Sequence, residues 1–206
     1  MLEVFANNIY HVVARKEFGS LMETFIGIDR SVDNFRRWVL SDWKSPTTRA
    51  LLAEYYVRIA TGTDSEGADD FNYVDIVLED GSTIEVKATA LLQPARNNKL
   101  ERSSAKFAIG KKSWAWNDRS WDWLPSPDAP KRWADCYVLC LENMDDPTRY
   151  DPLDLAQWEF FVIPTFTIDE VFGDQKSVTV GRLKQEGFCS VGFVDLAEEI
   201  SDKLEM

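Results

Sequence analysis

Two short runs of this sequence set acids and an amine where they can act together. Glu85-Val86-Lys87 places a carboxylate and an ammonium two positions apart, and Asp75 precedes them by ten. An acid-x-Lys triplet alone says little, since composition produces about two by chance. It occurs again at Asp42-Trp43-Lys44 and Asp174-Gln175-Lys176. Context separates them: only Glu85 and Lys87 lie in a strongly alternating run that follows another with an acid in it. Val74, Ile76 and Leu78 flank Asp75, while Ile84, Val86, Ala88 and Ala90 alternate with Glu85 and Lys87. One strand face is then apolar and the other charged. Carboxylates whose Cβ atoms lie about 5 Å apart across two strands repel unless something positive intervenes. Lys87 is one candidate and a divalent cation the other, because Mg²⁺ suits carboxylate oxygens, a carbonyl and retained waters. The competing reading is an Asp–Glu–Lys salt network on a solvated sheet face.

The rest of the composition narrows the chemistry. His11 is the single histidine of 206 residues, so zinc sites built on two or three histidines and His-based nuclease motifs are excluded within one chain. Hydrolysis would have to run on carboxylates, lysine and a hard metal ion. No apolar run approaches the ~18 residues of a membrane span. Asn7, Asn8 and His11 interrupt the N-terminal apolar pattern, which is unlike a secretion signal. Cys136, Cys140 and Cys189 are an odd number, two of them inside one apolar run where a thiol serves as a small hydrophobe. A cytoplasmic protein with no membrane partner is expected.

The elements that must position these residues are expected as follows. Residues 1–45 form an N-terminal helical extension, with one helix around Phe5, Ile9, Val12, Val13 and Lys16 and a second, capped by Asp29 or Ser31, through Phe35, Trp38 and Val39. Residues 46–206 form the main domain. Ser45-Pro46-Thr47 opens a helix that runs to about Ala60 and stops at Gly62. Strands follow at residues 73–78 and 82–90, another at 105–109, and continuous apolar strands at 134–141 and 158–163. A short helix near 168–172, a strand near 177–180 and an acidic C-terminal tail complete a layered α/β domain, with a mixed sheet flanked by helices.

Loop length decides whether the charges meet. A two-residue Asp80-Gly81 turn sets Ile76 opposite Glu85. A three-residue Glu79-Asp80-Gly81 loop, with Gly81 left-handed in a bulge, pairs Ile76 with Ile84, Val74 with Val86 and Asp75 with Glu85. The apolar pattern selects the second register, because a slip of one residue moves a whole apolar face into the wrong layer.

With Glu54 on the preceding helix, Asp75 on one strand and Glu85-Val86-Lys87 on the next, the chain resembles the PD-(D/E)XK nuclease superfamily, the restriction-endonuclease-like fold. The runs ADCYVLCL, DPLDLAQWEFFVIPT and GDQKS also resemble an uncharacterised bacterial branch of that superfamily, and the likeness spans roughly residues 46–180. Val74 stands where the name-giving proline would. The resemblance implies an αβββαβ core and metal-dependent hydrolysis of DNA phosphodiester bonds, as an endonuclease in restriction, phage defence or repair. It implies that Asp75, Glu85 and the Val86 carbonyl hold Mg²⁺, with Mn²⁺ as a substitute, and that Lys87 orients a water and stabilises developing charge. A non-catalytic member of the same fold, binding nucleic acid or protein, is the alternative.

Other residues carry weaker signals. Glu54 and Arg58 occupy a narrow polar gap on an otherwise apolar helix, which reads equally as a solvent-facing pair or as the wall of a pocket. Gln93, just past the second strand, is a candidate contact to a phosphate or to the attacking water. The net charge of −12 disfavours nucleic acid, yet Arg96, Lys99, Arg102, Lys106, Lys111 and Lys112 form a basic strip opposed by Glu101 alone. Such a strip can bind phosphates while distant acids are screened beyond about 10 Å; a solvated charged loop is the plainer reading. Trp114, Trp116, Trp121, Trp123 and Trp133 follow, suited to stacking on unpaired bases or to closing a core edge or a homodimer interface.

Overall fold

The computed structural model describes residues 24–64, 73–95, 99–117, 122–125 and 130–205, with backbone alone for 114–117 and 122–125. The chain divides into two units between Ser41 and Asp42. In the first, helix α1 (Val32–Val39) begins at Ser31, whose Oγ accepts the Asn34 N–H while the Asn34 side chain accepts the Ser31 N–H. Of the two caps the sequence allows, Ser31 is the one used. The helix expected near Phe5 lies outside the described residues.

The second unit opens with α2 (Pro46–Thr61). Ser45 Oγ accepts the Thr48 N–H at 3.1 Å, Pro46 fills the first turn, and Gly62 at φ +71° ends the helix left-handed. Then follow β1 (Ile76–Val77), β2 (Thr83–Ala90), β3 (Leu92–Pro94), β4 (Leu100–Arg102), β5 (Lys106–Ala108), β6 (Trp114–Asn117) and β7 (Asp122–Pro125). After them come β8 (Cys136–Glu142), β9 (Trp158–Pro164), α3 (Thr165–Phe172), β10 (Ser177–Thr179), α4 (Val180–Gln185) and α5 (Leu196–Leu204). The molecule is of mixed α/β class.

The main sheet has the order β1-β2-β8-β9, antiparallel, parallel and antiparallel in turn. Three two-stranded ribbons, β3–β4, β5–β10 and β6–β7, stand outside it. The αβββαβ order maps onto α2, β1, β2 and β8, but a further sheet strand, β9, comes before the next helix. The later strand β10 joins β5 rather than the sheet.

Alternation along the central strands builds one core on each face. Ile84, Val86, Cys136, Val138, Cys140 and Phe160 pack with Ala53, Tyr56 and Val57 of α2 and with Leu196 and Ile200 of α5. On the other face Tyr137, Leu139, Leu141, Phe161 and Ile163 pack with Phe107, Ile109, Ile168 and Phe172. Burial of each large apolar side chain contributes about 1.5–3 kcal/mol, so β8 and β9, which place apolar side chains in both cores, anchor the unit.

One expectation is corrected. The C-terminal acidic tail is helical, because Leu196, Ile200 and Leu204 recur every four residues and give α5 an apolar stripe against the sheet. Helix α2 packs one side on the sheet and keeps Leu51, Tyr55 and Ile59 as an exposed outer stripe.

Candidate functional site

The hairpin that carries the acids has the three-residue loop. Leu78 N–H donates to the Ser82 carbonyl at 2.8 Å, Gly81 N–H donates to the Leu78 carbonyl at 3.0 Å, and Gly81 sits at φ +91°. Ile76 pairs with Ile84 and Val77 with Thr83. The ordered strand is shorter than the 73–78 expected, and the reason lies at Asp75. Its backbone N–H donates to the Ile84 carbonyl at 3.1 Å, so Asp75 and Ile76 both oppose Ile84 and the edge strand bulges. Val74 is thereby turned into the core of Tyr137 and Leu139, whereas Val86 faces α2. The expected ladder pairs Asp75–Glu85 and Val74–Val86 do not form.

The bulge is held by side chains. Asp75 Oδ2 accepts the Val86 N–H at 2.6 Å, replacing the lost ladder bond. The Asp75 carbonyl turns the other way and accepts Arg58 Nη2 at 2.6 Å. Arg58 Nε donates to Glu54 Oε1 at 2.9 Å. The pair on α2 is therefore real, but it is not a solvent pair: Arg58 is buried and ties α2 to the backbone of Asp75.

Asp75 and Glu85 meet around one amine. Lys87 Nζ lies 2.7 Å from Glu85 Oε1, 3.6 Å from Asp75 Oδ2 and 3.0 Å from the Val86 carbonyl oxygen. Lys112 Nζ reaches the same Glu85 oxygen at 2.9 Å. Glu85 is almost wholly buried, at 4% side-chain exposure, while Asp75 and Lys87 remain about a third open. Burial works to raise the Glu85 carboxyl, but Lys87 and Lys112 outweigh it and hold the group below its ordinary range. Burial also acts on Asp75, and with the charge of Glu85 it outweighs Lys87 and the Val86 N–H, so that carboxyl stands above its ordinary range. Burial opposes the charge on Lys87, yet the two carboxylates prevail and keep its ammonium above the usual lysine value.

The chain that returns after β5 borders the cluster. Lys112 and Lys131 exchange backbone hydrogen bonds of 2.8 and 3.2 Å, and Trp133 Nε1 donates to the Lys112 carbonyl at 3.3 Å. Lys131 Nζ lies 4.1 Å from the centroid of the Trp133 ring, and Tyr73 meets that ring edge-on. Tyr137 is paired with Glu85 in the parallel ladder; burial, then Glu85, push its phenol well above the usual value, so it stays neutral.

The remaining predicted residues disperse. Gln93 lies on the β3–β4 ribbon opposite Glu101, and no hydrogen bond of the described residues ties it to the acids or to Lys87. Arg102 pairs with Asp145 at 2.8 Å, and Lys111 with Asp174 at 2.9 Å. Lys106 is exposed on β5 opposite Thr179, and the Lys99 carbonyl accepts the Ala95 N–H. Arg96 and Trp121 lie outside the described residues. Trp116 is paired with Trp123 in the β6–β7 ladder. Of the strip, Lys112 is the member that pairs with Glu85 in the acid cluster.

The donor set around Lys87 Nζ is two carboxylates and a carbonyl, all hard oxygens, which matches what Mg²⁺ or Mn²⁺ takes from a protein while keeping waters. Among the described residues no group of three or more His, Cys, Asp or Glu side chains gathers as a metal centre. The chain matches no protein-family model, no curated protein and no solved structure. Among the described residues no helix is long and apolar enough to cross a membrane.

Proposed function

We propose that the protein is a metal-dependent nuclease of restriction-endonuclease-like type, hydrolysing DNA phosphodiester bonds at Asp75, Glu85 and Lys87. The observation that supports it best is the convergence of Asp75 Oδ2, Glu85 Oε1 and the Val86 carbonyl on one cationic position. The order of helix, hairpin, acid and acid-x-Lys along the chain also supports the restriction-like core.

In this reading Asp75, Glu85 and the Val86 carbonyl hold Mg²⁺ or Mn²⁺. The bound ion supplies charge neutralisation at the phosphate and a more acidic water. Lys87, whose ammonium occupies that position in the absence of an ion, would shift aside on its flexible stem to hold the attacking water and offset charge that grows on the phosphate oxygens. Lysine suits this place because its small ammonium sits among three oxygens without a planar fork. Arg58, braced by Glu54, fixes the backbone of Asp75 and so the direction of its carboxylate. Lys112, Lys131 and Trp133 line the rim where a nucleotide phosphate and base would lie.

One observation favours a second reading, a non-catalytic nucleic-acid-binding domain. Lys87 and Lys112 already neutralise Glu85, so the cluster is complete as a salt network. Incubation with Mg²⁺ or Mn²⁺ and supercoiled plasmid, linear duplex and single-stranded DNA separates the two. Cleavage that falls at least about 100-fold in Lys87→Ala supports the nuclease. No cleavage, or equal cleavage by both proteins, removes it.

A further inference from the structure

Glu85 Oε1 receives two ammonium groups, and they are held very differently. Lys87 Nζ has three oxygens around it, from Glu85, Asp75 and Val86. Its own strand is locked between β1 and β8. Lys112 Nζ reaches Glu85 from a half-exposed side chain. Its main chain is pinned by the paired bonds to Lys131 and by Trp133 Nε1. The amine can therefore swing while the backbone that carries it stays in place.

Charge within the cluster sets a direction for that swing. Asp75, Glu85, Lys87 and Lys112 together are close to neutral. A divalent ion added among them leaves an excess of positive charge beside a buried carboxylate. Like charges crowded at a few ångströms repel strongly where water is scarce. Lys87 yields its oxygens to the ion but stays beside them on β2, whereas the half-exposed Lys112 can leave altogether, toward the rim where Lys131 stands over Trp133.

We infer that Lys112 is an exchangeable counter-ion: it holds Glu85 while no divalent ion is present, and moves to a phosphodiester oxygen of the substrate once one is. This rests on the nuclease reading and adds a residue role to it. Lys112 then opposes ion binding and favours substrate binding, two effects of opposite sign that a purely structural lysine does not produce.

The test is calorimetric titration of the full chain with MnCl₂, without DNA, for wild type, Lys112→Gln, Lys112→Arg and Glu85→Gln. Lys112→Gln should bind Mn²⁺ about tenfold more tightly, Lys112→Arg should stay near wild type, and Glu85→Gln should lose binding. In plasmid cleavage, Lys112→Gln should raise KM for DNA and reduce the salt dependence of log KM by about one ion. Thermal melting checks that Lys112→Gln folds, and Lys112→Met serves if it does not. Mn²⁺ affinity in the neutral variant that is unchanged or weaker overturns the counter-ion role and leaves the nuclease reading standing. A wild type that neither binds Mn²⁺ nor cuts DNA overturns both.

Discussion

Asp75 uses its side chain to accept the backbone N–H of Val86, at 2.6 Å, where the neighbouring strand should have offered a carbonyl. One carboxylate thus closes a gap in the sheet and faces Lys87 at the same time. Structure and chemistry at this position are separable by substitution. Asp75→Asn retains an oxygen for the Val86 N–H and should melt close to wild type while losing Mn²⁺ binding and cleavage. Asp75→Ala leaves that N–H without its partner and should cost about 1–3 kcal/mol in addition. Chemical denaturation of both variants checks this, and equal stability would show that the bulge does not depend on the carboxylate.

The buried pair of Arg49 and Glu142 makes a second case. Arg49 Nε donates to Glu142 Oε2 at 3.2 Å, the Tyr150 hydroxyl donates to the same oxygen, and Glu142 Oε1 is buried with no hydrogen-bond partner among the described residues. Burial outweighs Tyr150 and Arg49 and holds the Glu142 carboxyl above its ordinary 4.5. A raised carboxyl binds its proton more tightly folded than unfolded. Its contribution is therefore complete below the ordinary value and is lost as pH rises through the raised one. Arg49→Met removes an opposing cation, so its deficit should grow with pH, reaching about 3–5 kcal/mol near neutrality. Arg49→Met combined with Glu142→Leu should recover most of that loss. Urea melts across the acid-to-neutral range read both effects; a deficit of Arg49→Met that is flat with pH contradicts the assignment.

Thiol chemistry should follow burial. The Cys136 thiol is pushed up to about 12 by its apolar surroundings, and burial drives Cys140 higher still. Cys189 is exposed. A thiolate-selective reagent near pH 8 should therefore label one cysteine in the folded protein and three after denaturation. Labelling of Cys136 or Cys140 at the rate of Cys189 would mean that the central strands open readily.

Helix α2 was legible from Ser45-Pro46 and Gly62, and the hairpin register from Gly81 and the alternation around it. Strands β8 and β9 stood out as unbroken apolar runs because both of their faces are covered. The bulge at Asp75 was not legible. Val74, Ile76 and Leu78 alternate smoothly through it, and what breaks the ladder is a side chain meeting the backbone of another strand. Helix α5 hid behind its acids, since only its apolar stripe distinguishes it from a solvated tail. The partners of the basic strip were not legible either: Arg102 goes to Asp145, Lys111 to Asp174 and Lys112 to Glu85. Pairings this distant along the chain leave no periodic trace.

The outermost strand of the main sheet is two residues long and sits next to the residue that supplies one of the two acids. Short borders fray before interiors do. Fraying of this edge thus detaches Asp75 and leaves Glu85 and Lys87 in place on β2. Any guest that needs both acids must meet a zipped border, so occupancy and zipping are one linked equilibrium: what clasps the guest also fastens the hem of the sheet.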